Sequence, residues 1–484
     1  MALLIGSEIY KQEQYRIQSL RLYTHNLFDV NLLFSYTEIG LFENLFESTM
    51  SGYVIVTDIY GMIENLNITG FCYLEINLCK FGENDPNPIS KTFRIYKIGE
   101  RVAETNNKET YTLHFCSEEN ILSEQIKIAK SYPNKLISDI VTDILGTGGL
   151  NVNSSKIGTI EPTTGLYSLV VPNIKPFEAI NWLSTYARPT QYPGADMVFY
   201  ESSDKGFNFR SIQSIYKDTV YAVYGYSPQN IQALGFSGGF YSILAYKYVQ
   251  ISDVMQGISD GMYANKLISV DPLLRYSNTT IFSYNDNSGS TPSYYSSAGN
   301  LNGNPVSVEI KNRTGKSVSQ TSDAVVKVMA GNSRQTTFPA IQNNIDNLKT
   351  VVPNIAVETY IPNRTAQIPL ANAIRVQFTI PGDIRLCVGK IVRLNLPSFR
   401  YNNDGTPNID VYYSGNYMVS AVKHQFTKTG TYHCIVEGIA DSVSKEYVSA
   451  APATISATAG NLVDTSVFDI NSADLQQAPV VNFG

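Results

Sequence analysis

The sequence predicts an α+β fold that is mainly β, on three observations. Tyrosine and phenylalanine are abundant, at 33 and 21 residues, against a single tryptophan, Trp182. Short runs of aromatic and β-branched residues recur between turns rich in Gly, Asn, Asp and Pro, which is typical of strands. Helical periodicity is concentrated in one central segment. Hydrophobic residues make up 43% and charged residues 16% of the chain, which predicts a folded protein. The length of 484 residues suggests roughly two to four domains.

The strand runs lie in two groups. Before residue 116 they fall at 53–61, 71–78, 92–98 and 110–116. Strands resume near residue 217, and further runs fall at 373–380, 389–396, 415–426 and 431–439. Two β-rich parts are therefore expected, one at each end of the folded region.

The central segment predicts helices. Ser117 is a candidate N-cap for a helix over ENILSEQIKIAK (119–130),. A second helix follows Pro133, with apolar residues at helical spacing up to Leu145 and a stop at Gly146,. A third begins at Pro176, a favoured first helical position. These helices indicate an α/β unit.

A hairpin at FYESSDKGFNFRSI (199–212) closes this unit. Gly206 supplies the positive φ that a short hairpin loop often needs. Two pairs of residues share strand faces: Val198 with Tyr200, and Phe207 with Phe209. We expect these faces to pack on the helix that carries Trp182, so the hairpin is predicted to be a scaffold element.

Three further segments have distinct composition. Residues 276–320 are rich in Ser, Asn, Gly and Thr and predict loops or a polar insertion,. AIQNNIDNLK (340–349) predicts a short helix. From Val448 the chain is rich in Ala, Ser and Thr, which predicts an extended tail.

Two stretches repeat one plan. FRIYKIGERVAETNNKETYTLHFC (93–116) and YMVSAVKHQFTKTGTYHCIVE (417–437) each read as a strand, a polar turn and a second strand opened by Thr-Tyr. A duplicated β-unit whose second copy is split by an insertion would give this pattern. Hairpins that contain Thr-Tyr are common, so coincidence is the alternative.

Composition argues against several classes of function. The net charge of −6 and the absence of clustered Lys/Arg argue against a nucleic-acid-binding surface,. The five cysteines form no C-x-x-C pair, so neither a disulfide framework nor a zinc site is indicated. The start, MALLIGSEIYKQEQYR, lacks the basic flank of a signal peptide,. No apolar run approaches the ~18 residues of a membrane span.

Catalytic and metal motifs are weak. GFSGG (235–239) matches G-x-S-x-G with Ser237 as nucleophile, but the following FYSILAYKYVQI predicts a strand where a hydrolase needs a helix,. The histidines have no metal-site spacing, and three of them, His114, His424 and His433, fall within predicted strands,. DNSGS (286–290) and NNDG (402–405) lack the closing glutamate of a calcium loop,. No phosphate loop is present, and no carboxylate pair is singled out, so we predict no catalytic, cofactor or metal site.

Several stretches together resemble a known family. KTFRIYKIGERVAETNNKETYTLHFCSEENILSEQIKIAKSY, PNIKPFEAINWLSTYARP with MVFYESSDKGFNFRSIQSIY, and GMYANKLISVDPLLRY resemble phage baseplate hub proteins. RTAQIPLANAIRVQFTIPGDIRLCVGKIVRLNLPS, SGNYMVSAVKHQF and TYHCIVEG follow in the same order. The resemblance covers most of residues 50–440. It is to the T-even-type hub family of contractile tails, which is related to the hub portion of type VI secretion spike proteins.

The resemblance implies two tail-tube-like antiparallel β-barrel domains with an intervening α/β domain and an insertion. The implied domains are 1–115 (first barrel), 116–216 (α/β), 217–270 with 365–445 (second barrel), 271–364 (insertion) and 446–484 (tail). It further implies a homotrimeric ring in the virion baseplate, assembled in the host cytoplasm. Such a ring joins a three-fold central spike to a six-fold tail tube. Duplication within the chain gives three subunits six similar units, which matches the six-fold symmetry of the tube.

The implied partners are a central spike protein, the tail tube or a tube-initiator protein, and other baseplate proteins, with DNA only as passing cargo and no membrane insertion. No spike-type barrel or β-helix repeat follows the matched region, so the spike is expected to be a separate polypeptide. Two other functions stay open from the sequence: a tail-tip cell-wall hydrolase and a β-rich module that binds a host receptor.

Overall fold

The computed structural model describes residues 15–24, 29–66, 68, 70, 72–79, 89–105, 108–192, 194–226, 240–271, 275–284, 300–306, 322–330, 357–401 and 407–445. The predictions for the helix at 340–349 and for the tail concern residues outside this set.

The first part of the chain is built from strands. They are β1 (Arg16–Tyr23), β2 (Asp29–Asn31), β3 (Tyr36–Asn44), β4 (Ser51–Asp58), β5 (Tyr73–Cys79), β6 (Ile89–Thr105) and β7 (Lys108–Ser117), with the short helix α1 (Met62–Leu66) after β4. In β4 every second residue is buried, the period that a half-buried strand requires. The four strand runs predicted before residue 116 are therefore confirmed.

The central part alternates helices and strands. Its elements are α2 (Glu118–Gln125), β8 (Ile128–Lys135), α3 (Ile137–Leu145), β9 (Ile157–Ile160), β10 (Tyr167–Ile174), α4 (Pro176–Ser184), β11 (Met197–Ser202), β12 (Gly206–Ser211) and α5 (Ile212–Tyr216). The second predicted helix, the helix beginning at Pro176 and the hairpin are confirmed.

The first predicted helix is wrong in its length. The helix over 119–130 ends at Gln125, and Ile126 is extended with φ −114° and ψ 144°. Residues 128–135 form β8, which pairs antiparallel with β10. Ile128 and Tyr132 are buried on this strand. A strand partner that is distant in sequence overrides the local helical preference here.

The last part contains the remaining elements. They are β13 (Val220–Tyr226), β14 (Ser242–Ile243), β15 (Ala245–Gln250), α6 (Val254–Ser259), β16 (Ala264–Asp271), β17 (Tyr276–Ser283), β18 (Asn304–Pro305), β19 (Val326–Ala330), α7 (Ile361–Ala371), β20 (Ile374–Pro381), β21 (Ile391–Asn395), β22 (Pro397–Tyr401), β23 (Pro407–Ile409), β24 (Gly415–Thr427), β25 (Tyr432–Ala440) and β26 (Ser442–Val443). The strand runs predicted between 373 and 439 are confirmed.

Two elements differ from the prediction. The polar stretch 276–320 is predicted to be loops or a polar insertion, and it begins with the strand β17, which pairs with β16 in a three-stranded sheet completed by β19. Phe282 is buried there, and the β-branched residues around it favour a strand. The helix α7 is not predicted by the pattern, because Pro362 in its first turn and Pro369 inside it obscure the signal.

One large sheet organises the molecule. Within the described ranges it has 14 strands, and its order joins the first and last parts of the chain without a break. The mainly β prediction is confirmed. Pairing among the described strands defines no closed barrel.

The two parts share one strand order. The first part reads β2-β1-β5-β6-β7-β4-β3 across the sheet, and the last part reads β14-β13-β21-β24-β25-β20-β15. In chain order, β1 to β7 therefore correspond one by one to β13, β14, β15, β20, β21, β24 and β25. We refer to these two sets of seven strands as repeat 1 and repeat 2. The Thr-Tyr hairpins of the sequence are the corresponding pairs β6–β7 and β24–β25.

The repeats differ in two respects. β1 is antiparallel to its neighbours β2 and β5, whereas β13 is parallel to β14 and β21. In repeat 1 only residues 45–50 separate β3 from β4, whereas 251–373 separate β15 from β20. The added elements α6, β16–β19 and α7 lie within this interval. The order agrees with a duplicated unit whose second copy is split by an insertion.

The hairpin β11–β12 lies between two hydrophobic cores. Phe207 and Phe209 are fully buried in the core that includes α3 and α4, and Phe177 of α4 lies 5.6 Å from the Phe207 ring. Tyr200 faces the other core, which runs through both repeats. The expected pairs share their faces, but the Val198/Tyr200 face does not pack on the helix: Phe199 lies on the helix-facing side with Phe207. Sequence alternation fixes which residues share a face but not which core each face meets.

Candidate assembly interface

The two repeats meet where β3 of repeat 1 pairs antiparallel with β24 of repeat 2. The register runs from Asn44 opposite Ala421 to Glu38 opposite Thr427. We call this ladder the repeat junction. β24 can take part because it is 13 residues long. One of its edges carries β25, and the other carries β21 near Met418 and then β3.

Backbone hydrogen bonds extend the junction beyond both strand ends. The Leu45 N–H donates to the Ser420 carbonyl oxygen at 2.8 Å, and the Lys428 N–H donates to the Thr37 carbonyl oxygen at 2.9 Å. Alternate residues of a strand bond to opposite edges. The odd-numbered residues of β3 and the even-numbered residues of β24 therefore form the ladder, so that Phe42 and Lys423 form a pair without mutual hydrogen bonds.

The outer face of the junction is polar and centred on Glu38. Its carboxylate accepts hydrogen bonds from Tyr53 and from the Gln425 amide. The Lys423 ammonium lies 3.9 Å from the same carboxylate and 5.3 Å from the centre of the Tyr53 ring. Burial first, and then Glu38, raise the pKa of Tyr53, so this phenol stays a hydrogen-bond donor.

The inner face of the junction holds a buried ion pair. His424 Nε2 of β24 lies 3.7 Å from Glu43 Oε1 of β3, and both side chains are inaccessible to solvent. The other carboxylate oxygen of Glu43 accepts a hydrogen bond from the Val388 N–H at 3.3 Å. His424 Nδ1 lies 2.8 Å from the Tyr432 hydroxyl and 3.4 Å from Cys434 Sγ.

This environment favours the charged imidazole. Burial alone lowers the pKa of His424, but Cys434 and Glu43 outweigh it and raise that pKa to about 10. The imidazolium and the Glu43 carboxylate thus compensate each other between the repeats. A buried pair of this kind is costly to break on one side, because the remaining charge loses its partner.

A second buried carboxylate fixes the hairpin to repeat 1. Glu201 of β11 accepts hydrogen bonds from the Met50 N–H at 2.9 Å and the Ser117 hydroxyl at 2.5 Å. The Lys91 ammonium lies 4.0 Å away. Burial raises the pKa of Glu201, which Lys91 partly opposes. The α/β unit is therefore anchored by polar contacts as well as by its apolar face.

Among the described residues, those considered for chemistry form no common site. His114, His424 and His433 lie in β7, β24 and β25 as predicted, and His424 is engaged in the ion pair. Ser237, His25, DNSGS and NNDG lie outside the described residues. Within the described ranges no group of His, Cys, Asp and Glu side chains is placed to hold a metal. No described helix has both the length and the apolar character to span a bilayer.

A cleft of about 1070 Å³ lies beside β20, α6 and α7. Its lining includes Asp253, Lys327, Arg364 and Arg375. Arg364 donates to the carbonyl oxygens of Ala195 at 2.6 Å and Met197 at 3.4 Å. This arginine therefore attaches α7 to the strand β11, which is a structural role.

The chain resembles phage tail and type VI secretion proteins in structure. No protein-family model matches it, and no curated protein matches it by sequence. A tail protein from Neisseria meningitidis has 7% identity and a TM-score of 0.47, with 90% of this chain and 100% of that chain covered. The 43 kDa tail protein of prophage MuSo2 from Shewanella oneidensis has 8% identity and a TM-score of 0.49, with 88% and 99% covered.

A type VI secretion component of E. coli, described as similar in structure to the T4 bacteriophage tail proteins gp27 and gp5, has 8% identity and a TM-score of 0.40, with 90% of this chain and 78% of that chain covered. At these identities and TM-scores the likeness bears on no individual residue, partner or activity.

Sequence reasoning missed the repeat junction. Glu43 and His424 are 381 positions apart, and neither lies in a motif. The Thr-Tyr hairpins were the available signal, since they mark β6–β7 and β24–β25 as equivalent. Which edge of β24 would meet β3 depends on tertiary pairing.

Proposed function

We propose that the chain is a structural baseplate hub of a contractile phage tail. In this role it joins a three-fold central spike to a six-fold tail tube and forms part of the DNA channel. The observation that carries the proposal is the identical strand order of the two repeats. Three copies of a chain with two equivalent units present six similar surfaces around one axis, which suits a junction between three-fold and six-fold partners.

Each repeat is proposed to be a tail-tube-like β-barrel. In repeat 1 the segment 29–44 pairs with β1 through β2 and with β4 through β3. In repeat 2 the segment 242–250 pairs with β13 through β14 and with β20 through β15. One continuous segment thus connects the two ends of each strand series, which supports closure. The Leu32 N–H to Leu20 and Leu244 N–H to Thr379 hydrogen bonds support the same path.

The proposed domains follow the expected limits. They are 1–115 and 217–270 with 365–445 for the barrels, 116–216 for the α/β domain, 271–364 for the insertion and 446–484 for the tail. All of β16 except its last residue lies within 217–270, but β16 pairs with β17 and β19, so the insertion is proposed to include it.

The proposed partners are two further copies of this chain, a central spike protein, the tail tube or a tube-initiator protein, and other baseplate proteins. DNA passes only as cargo, and the net charge of −6 disfavours its adhesion to the channel. The proposed location is the virion baseplate, after assembly in the host cytoplasm. Removing 448–484 is expected to reduce co-purification of the spike and to leave the ring intact.

The proposed role is not enzymatic. Among the described residues, the histidine with the most perturbed environment, His424, has its charge compensated inside the molecule. A tail-tip cell-wall hydrolase is the alternative, and the purified chain would then degrade peptidoglycan. A host receptor-binding module is the other alternative, and it would bind surface glycans on an array.

Native mass measurement and electron microscopy of the purified chain test the hub proposal. We expect a trimer with a three-fold ring and six similar lobes. A chain that stays monomeric at all accessible concentrations would exclude the hub. Its activity on peptidoglycan or glycans would then decide between the alternatives.

A further inference from the structure

Two strand edges outside the repeat junction correspond to the edges that form it. The junction uses β24 and β3, and their counterparts in the other repeat are β6 and β15. If the two repeats are equivalent, the edges that bind in one pair can bind in the other.

The edge of β6 is open beyond Ile95. Its first residues pair with β5, from Ile89 to Arg94, and the Ile95 N–H donates to the Cys72 carbonyl oxygen. On that edge, residues 97–105 have no strand partner in the described part of the chain. A bulge between Gly99 and Val102, with Glu100 at a φ of 54°, ends the regular stretch of this edge.

The edge of β15 is open in the same way. Among the described strands, β15 pairs only with β20, whereas its counterpart β3 pairs with both β4 and β24. Val249 on this strand is 44% exposed. Open strand edges readily pair with another chain, and two complementary ones occur in this molecule.

We propose that residues 245–247 of β15 in one copy pair antiparallel with residues 97–99 of β6 in the next copy, which repeats the junction between chains. This inference rests on the proposed ring, and it names the surfaces that close the ring. Strand directions permit it. Each strand of the series β3-β4-β7-β6 and of the series β15-β20-β25-β24 is antiparallel to the next. β6 therefore runs in the direction of its counterpart β24, and β15 runs in the direction of its counterpart β3.

The junction also predicts the register. Leu113 and Cys434 occupy equivalent positions, opposite Val54 and Ile380 respectively. From these pairs, His424 corresponds to Ile98 and Leu41 corresponds to Tyr246. Because Leu41 lies opposite His424, Tyr246 should lie opposite Ile98 of the next copy. An apolar pair then takes the inner position, where the intramolecular junction has a histidine.

The neighbouring outer pair is Lys247 opposite Lys97. It corresponds to Phe42 and Lys423 of the junction, a pair without mutual hydrogen bonds. Such pairs have Cα atoms about 4.5 Å apart, which is within the range for a disulfide. Both lysines are exposed in the single chain, so they can be replaced without disturbing its core.

Oxidative cross-linking tests the pairing. We expect the K97C/K247C variant to form a covalent trimer on a non-reducing gel. The single variants K97C and K247C, and the pair K97C/K217C with an exposed cysteine elsewhere, are expected to stay uncross-linked. The five native cysteines are buried, so they contribute little background. Absence of the covalent trimer in a protein that is otherwise trimeric would contradict the proposed edges.

A charge cycle gives an independent test. Two like charges opposite each other oppose pairing, and an opposite-charge pair favours it. K247E and K97E each create an opposite-charge pair, so each should lower the protein concentration at which half of the trimer dissociates by about two- to threefold. K97E/K247E again places like charges opposite each other and should return this concentration near the wild-type value. If the effects of K97E and K247E on trimer dissociation simply add in the double variant, the proposed pairing is wrong. The wild-type mass is measured alongside: a trimer without coupling contradicts only these edges, whereas a monomer contradicts the hub itself.

Discussion

At the scale of single residues, Glu43 links the two repeats across the repeat junction. Its carboxylate is buried, accepts a hydrogen bond from Val388 and faces the imidazole of His424. The partner comes from the other repeat, so the pair couples the two parts through charge as well as through the backbone.

Replacing Glu43 by Gln should destabilise the protein by about 3–5 kcal/mol, because the buried imidazolium loses its counter-charge. Urea unfolding followed by circular dichroism measures the loss. Glu38→Gln is the matched control on the outer face of the same ladder, and its effect should stay below about 1 kcal/mol. Equal effects of the two substitutions would contradict a special role for the buried pair.

The ion pair also predicts a pH dependence. The pKa of His424 is about 10 in the folded protein, above its ordinary value of 6.5. The contribution of this group is therefore fully present below about pH 6.5 and is lost as the pH rises towards 10. The stability difference between wild type and Glu43→Gln should narrow between pH 6.5 and 10. A constant difference over that interval would mean that His424 is neutral in the folded protein.

At the scale of elements, the turn of the hairpin β11–β12 depends on local sequence, whereas the roles of its two faces depend on packing. Gly206 has a φ of +76°, and a Cβ atom there would lie 2.0 Å from the Lys156 carbonyl oxygen. The turn is thus fixed by a residue type visible in the sequence. The roles of the two strand faces are set by the cores on either side.

Phe207→Ala should cost about 3–5 kcal/mol. The ring is fully buried and stacks on Phe199 at 5.8 Å, so its removal leaves a cavity beside α4. Phe34→Ala is the control, because that side chain is 80% exposed, and we expect almost no change. Thermal unfolding compares the two. A tolerated Phe207→Ala would indicate that the hairpin is a contact surface and not a scaffold.

At the scale of the whole molecule, the large sheet and its core make the two repeats one structural unit. The core residues of repeat 1 and repeat 2 belong to a single hydrophobic cluster. β3 and β24 complete each other's hydrogen bonding across the junction.

Fragments 1–217 and 218–484, expressed together, should therefore bind each other. The cut lies between α5 and β13, so it interrupts no element. Co-purification through a tag on one fragment measures binding, and Glu43→Gln should weaken it relative to Glu38→Gln. Recovery of two folded fragments that do not associate would show that the junction contributes little.

The sequence by itself determined the class of fold, most strands, two of the three central helices and the turn at Gly206, because these depend on side-chain period and on local backbone preference. It also marked the Thr-Tyr hairpins as equivalent. Only the tertiary structure decided that the strand orders match, that β8 replaces the end of a helix, and that Glu43 meets His424. Those features depend on pairing between segments far apart in the chain, where hydrogen bonds and burial outweigh local preference.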